Sequence, residues 1–96
     1  MSLVDYFDYI IKQLSIDEVS VLGILKDQDA TAAFKSMRKS SLHEFSNMTL
    51  ATFRKTIEKL KATSLIALVT ARKEHKVYLT SFGLRALEIL MKEVPY

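Results

Sequence analysis

Residues 41–60, SLHEFSNMTLATFRKTIEKL, decide the fold of this chain. Ser41 and Glu44 have the spacing of a capping box, in which hydroxyl and carboxylate each satisfy an amide at a helix start. A first helix is expected to begin there, with Leu42 and Phe45 as its apolar positions. Asn47 interrupts the pattern with a residue that tolerates left-handed backbone, so the chain should turn. Thr49 can cap a second helix, in which Leu50, Phe53, Ile57 and Leu60 recur at the three- and four-residue intervals of one buried face. At about 100° per residue, Ala51, Thr52, Lys55 and Lys59 then lie opposite that seam, with Thr49 and Thr56 beside them. Small side chains near the helix start and cations further along suit a helix that enters a DNA major groove, where its first residues reach base edges and its lysines meet phosphates.

Working outward, residues 65–72 are apolar and β-branched enough for a strand, and 76–80 alternate in the same way. The intervening Lys73-Glu-His-Lys forms a charged tip without Gly, Asn or Asp, which argues for a connection longer than a two-residue turn. Arg72, Lys73, His75 and Lys76 would meet a phosphate backbone there, together with Arg38, Lys39 and Ser41 ahead of the first helix. On the amino-terminal side, Leu3, Val4, Phe7, Ile10, Ile11 and Leu14 predict a helix over 3–14, widened by Tyr6 and Tyr9. Ser15 and Glu18 form a second capping-box pattern, opening a helix through Ile16, Val19, Leu22 and Leu25 that Asp27-Gln-Asp ends. Gly23 inside it costs about 1 kcal/mol against alanine, which marks a place of close packing. The alanine-rich residues 30–39 predict a short helix, and residues 81–92 a last one with more apolar surface than one face needs.

These residues resemble the winged helix-turn-helix of DNA-binding proteins, of the multiple-antibiotic-resistance-regulator type or of the small plasmid and phage partition adaptors. Leu42, Asn47, Met48, Thr49, Phe53, Ile57 and Leu60 fall at the motif's positions. Ser64-Leu65-Ile66 resembles its usual Gly-Leu-Ile exit, and Leu79-Thr80-Ser81-Phe82-Gly83 its Leu-Thr-x-x-Gly opening of the helix after the wing. The resemblance implies a mainly α fold with a small β-hairpin (α+β): one domain over 1–96, the helix-turn-helix at about 41–62, the wing at about 65–80, and helices at both ends. Two departures stand out. His43 occupies a place usually held by alanine, where the helices cross, implying a changed packing angle. Ser64 replaces the usual terminal glycine, implying another kind of cap.

Charge is segregated along the chain. Residues 1–34 hold two cations against six anions, a balance of −4, whereas residues 35–80 hold ten cations against three anions, a balance of +7. The positive segment coincides with the helix-turn-helix and hairpin, so phosphates are the expected counter-charge. The absence of cysteine excludes disulfides and thiolate metal sites. His43 and His75 lack partners at metal-ligand spacing, and no Gly-x-Ser-x-Gly elbow or glycine-rich phosphate loop exists, so neither an enzyme nor a cofactor or metal site is expected. No apolar run is long enough to span a membrane and no leader pattern is present, which gives a cytoplasmic expectation, nucleoid-associated when on DNA.

The resulting expectation is sequence-specific binding of double-stranded DNA by a small homodimeric transcriptional regulator paired through its terminal helices. Within the same class stands a partition adaptor coating plasmid or phage centromere repeats. A different class is a winged helix that uses its basic face for protein contact.

Overall fold

The computed structural model describes residues 3–71 and 73–93, and side chains within 7–70 and 73–91. Helices α1 (Leu3–Lys12) and α2 (Ile16–Asp27) are followed by a 3-10 turn (Ala33–Lys35) and a short strand β1 (Met37–Arg38). Helices α3 (Lys39–Ser46) and α4 (Leu50–Ala62) come next, then the hairpin β2 (Ile66–Ala71) and β3 (Glu74–Leu79), and finally α5 (Ser81–Glu93). The expected mainly α fold with a small β element is observed. The sheet has three strands rather than two, antiparallel in the order β1-β3-β2.

The third strand replaces the helix expected over 30–39. Asp29 takes the left-handed conformation (φ 55), and Ala30 N–H donates to the Leu25 carbonyl at 2.8 Å while Asp29 N–H donates to Lys26. This paired closure of α2 turns the chain away from the helix axis. Phe34 stands 89% exposed, so alanine propensity has no buried aromatic to reinforce it. Met37 and Arg38 then pair with Val77 and Lys76 of β3. Because the chain passes from β1 straight into α3, the N-cap is Arg38, without a side-chain cap, and Ser41 lies within the helix. The capping box expected at Ser41 and Glu44 does not form.

Other elements follow their local chemistry. Ser15 and Glu18 make the reciprocal capping box of α2, Asn47 is left-handed at φ 57, and Thr49 caps α4 by accepting from the Thr52 amide. Ser64 adopts φ 64, and Leu65 N–H donates to the Leu60 carbonyl at 3.1 Å. Helix α4 therefore ends in the left-handed closure that glycine usually provides, not in another kind of cap. Gly23 has open space around it and marks no close packing, whereas a Cβ on Gly83 would overlap the Leu65 carbonyl oxygen. The hairpin is tighter than expected: Ala71 pairs with Glu74, so only residues 72 and 73 connect the strands.

One core joins all helices to the sheet, built from Ile10 and Ile11, Val21, Leu22 and Leu25, Leu42, Phe53, Ile57 and Leu60, Leu65 and Ile66, Val77 and Leu79, and Ala86 and Leu87. Helix α2 is its centre and packs against α3, α4, α5 and β3. Ile16, Phe45 and Leu50, expected on buried faces, are exposed. The side chains of Leu3, Val4 and Tyr6, expected on the apolar face of α1, lie outside the described residues.

Candidate nucleic-acid interface

The helix-turn-helix is held by its own turn. The His43 Nε2 bonds the Met48 carbonyl at 2.8 Å, and its ring packs on Phe53 with centroids 4.8 Å apart. Ser46 Oγ donates to the His43 carbonyl and accepts from the Met48 amide. The imidazole at the place usually held by alanine thus fastens α3 to the start of α4, and Met48 packs against the core.

The buried face of α4 consists of Phe53, Thr56, Ile57 and Leu60. Thr56, expected on the DNA-facing side, is only 6% exposed, and its hydroxyl donates to the Thr52 carbonyl at 2.8 Å. That local bond satisfies the hydroxyl and lets it enter the core. Leu50, in contrast, is 49% exposed. Exchanging Leu50 for Thr56 in the buried set turns the exposed face by about 30°. Ala51, Glu58 and Ala62 lie near its centre and Lys55 close by. Arg54 and Lys59 stand on its two edges, each about 70° from the centre.

Those edges meet different surroundings. The Arg54 edge borders an open groove of about 450 Å³ lined by Arg38, Lys39, Ser40, His43, Leu50, Phe53, Arg54, Lys73, Glu74 and His75. Here β1, α3, the first half of α4 and the hairpin tip bring cations from four elements together. One anion tempers them: Glu74 accepts an ion pair from Arg38 at 3.4 Å. Lys76 stands beside Arg38 in the sheet register and does not line the groove. Arg72 lies outside the described residues.

On the other edge, Lys59 Nζ meets Glu18 Oε1 at 3.0 Å and donates to the Gln13 carbonyl at 3.3 Å. It is engaged by the protein, contrary to the phosphate contact expected of it. Thr49, Ala51, Thr52 and Lys55 are exposed at the leading half of α4, as expected, whereas Ser41 is half-buried within α3. Sequence reasoning missed Arg54 and Ser40. The signal for Arg54 was available: a leucine directly after a helix cap sits at the helix mouth, while threonine one turn from Thr52 can satisfy itself and be buried. Among the described residues, no group of three or more His, Asp or Glu side chains could hold a metal. No described helix is long and apolar enough to cross a membrane.

This geometry can be set beside known proteins. No family model matches the chain. The DNA-binding protein TubR of Priestia megaterium (strain ATCC 12872 / QMB1551) is 44% identical over 84 residues, covering 88% of this chain and 83% of that protein. The chain belongs to the TubR family. The solved structure of TubR from Bacillus megaterium pBM400 superposes with a TM-score of 0.87 at 42% identity, covering 91% of this chain and 97% of that one. A MarR-family transcriptional regulator from Silicibacter pomeroyi, 19% identical, shares the fold with a TM-score of 0.69, covering 93% of this chain and 62% of its own. The three-stranded sheet and left-handed helix closures described above therefore belong to a TubR winged helix.

Proposed function

We propose that this protein binds double-stranded DNA, with the leading half of α4 in the major groove and the hairpin along the backbone. The observation that carries this reading is the convergence of Arg38, Lys39, Arg54 and Lys73 on one groove beside the exposed face of α4, in a chain 44% identical to a DNA-binding protein. Ala51, Thr52 and Lys55 face base edges, with Thr49 at the helix mouth. Arg38, Lys39, Arg54, Lys73, His75, Lys76 and Arg72 serve the phosphates. Neither Thr56 nor Lys59 takes part in contact.

Within DNA binding, the partition-adaptor reading is favoured over a regulator. The chain matches nearly all of a TubR chain but 62% of the MarR-family regulator. A homodimer through the terminal helices completes the proposal. Tyr9 on α1 and Phe82 and Met91 on α5 are exposed, and Phe7 and Phe82 pack with ring centroids 6.2 Å apart, joining the two helices into one apolar surface.

The test is selection of duplexes from a random library by the purified protein, followed by footprinting. Enrichment of repeated sites that fill cooperatively is the expected result. A single palindrome would restore the regulator reading. No enrichment, with an acidic protein partner recovered instead, would replace DNA by protein contact.

A further inference from the structure

The Glu18 carboxylate is 5% exposed, and three segments meet on it. Its Oε2 accepts from the Ser15 amide at 3.3 Å, closing the capping box of α2, and its Oε1 accepts from Lys59 Nζ at 3.0 Å. The same ammonium donates to the Gln13 carbonyl, one residue beyond α1. A buried carboxylate is tolerable when a cation and hydrogen bonds satisfy it, and costly when one is withdrawn. Lys59 would therefore have to abandon a buried anion to reach a phosphate.

We infer that Lys59 is a positioning residue, whose ammonium fixes the direction of the recognition helix against the corner between α1 and α2. The lever is favourable. Lys59 lies about two turns beyond Thr52, so a small rotation of α4 about its far end displaces the leading residues sideways in a major groove. Base readout depends on hydrogen-bond geometry and suffers from such a displacement, whereas contacts of flexible cations with phosphates adapt. The clamp thus acts on discrimination between sequences rather than on general attraction to DNA. It also ties α4 to the end of α1, one of the two helices proposed to pair copies of the chain. This role in discrimination rests on the DNA-binding reading. The orientation it imposes does not.

The test uses the full chain, which has no native cysteine. Cysteines introduced at the exposed positions Asp27 and Ala51 carry nitroxide labels, one on α2 and one at the leading end of α4, and pulsed electron resonance reads their distance distribution. Lys59→Met and Glu18→Gln should each broaden or shift that distribution, and Lys59→Arg should restore it. In unlabelled protein, at a temperature where all variants are folded, anisotropy with a random-sequence duplex and with the duplex selected by the wild type gives the second readout. Lys59→Met should lower affinity for the selected duplex about tenfold, with random-duplex affinity and its salt slope unchanged. An equal loss on both duplexes with a salt slope reduced by about one would make Lys59 a phosphate contact and overturn the inference. An unchanged distance distribution in Lys59→Met and Glu18→Gln would overturn it as well. A changed distribution in a protein whose wild type binds no duplex would leave the clamp standing and remove the DNA reading. Should Lys59→Met fail to fold, Glu18→Gln, which keeps both side chains nearly the same size, supplies the same comparison.

Discussion

Arg54 and Lys59 lie on one helix, five residues apart, and the protein treats them in opposite ways. Arg54 borders a groove shared with α3 and the hairpin, and among the described residues it makes no ion pair. Lys59 is held between a buried carboxylate and a carbonyl. Both stand about equally far from the centre of the exposed face, so helical position alone does not separate them. Their neighbours do. On one edge the helix faces elements with surplus positive charge. On the other it faces the capping box of α2 and the end of α1, where negative charge predominates. A cation on a recognition helix is available to a ligand only where the protein has not already used it.

The contrast can be broken by mutation. The largest effect is expected from Lys59→Met, which leaves Glu18 buried without its cation. Because Lys59 is half-exposed, the loss should be about 2 kcal/mol rather than the full penalty of a buried pair, read by chemical denaturation. Arg54→Met should leave stability within about 0.5 kcal/mol. A loss of similar size in both variants would erase the distinction.

Arg54→Gln should instead lower DNA affinity about tenfold on any sequence and reduce the salt slope by about one, measured by anisotropy. An unchanged slope would remove Arg54 from the phosphate contacts. A smaller gain is expected at Glu74. Glu74→Gln deletes the anion of the groove and frees Arg38, so affinity should rise about threefold at low salt and converge with the wild type at high salt. A fall would show that the pair with Arg38 organises the groove.

Thr56→Val should be the mildest change. It removes a hydroxyl satisfied within its own helix and buried from DNA, so affinity should stay within about twofold and stability within about 1 kcal/mol. A tenfold loss of affinity would return Thr56 to the DNA-facing surface.

Much of this molecule could be read before its structure was seen, and the successes share a cause. Ser15, Asn47 and Thr49 act on backbone within a few residues of themselves, so caps and turn were legible locally. Ser41 has the same local signature as Ser15, yet β1 docks on β3 just ahead of it and carries the chain into the helix too early. The helix expected over 30–39 failed for a related reason, since strand pairing with a segment forty residues away outweighs alanine propensity. The site divides similarly. The exposure of Ala51, Thr52 and Lys55 follows from helical period. Lys59 could not be assigned from α4 alone, because its partner is a residue that local reading had already accounted for as half of a capping box. Glu18 serves both roles at once.

The most direct measurement of the central claim is a titration of the wild-type protein with a random-sequence duplex, followed by fluorescence anisotropy from low to physiological salt. The arrangement of cations around the α4 groove predicts a steep, linear fall of log affinity with log salt, as several phosphates release their counterions. Absence of binding at the lowest salt, or binding that salt leaves unchanged, would contradict it.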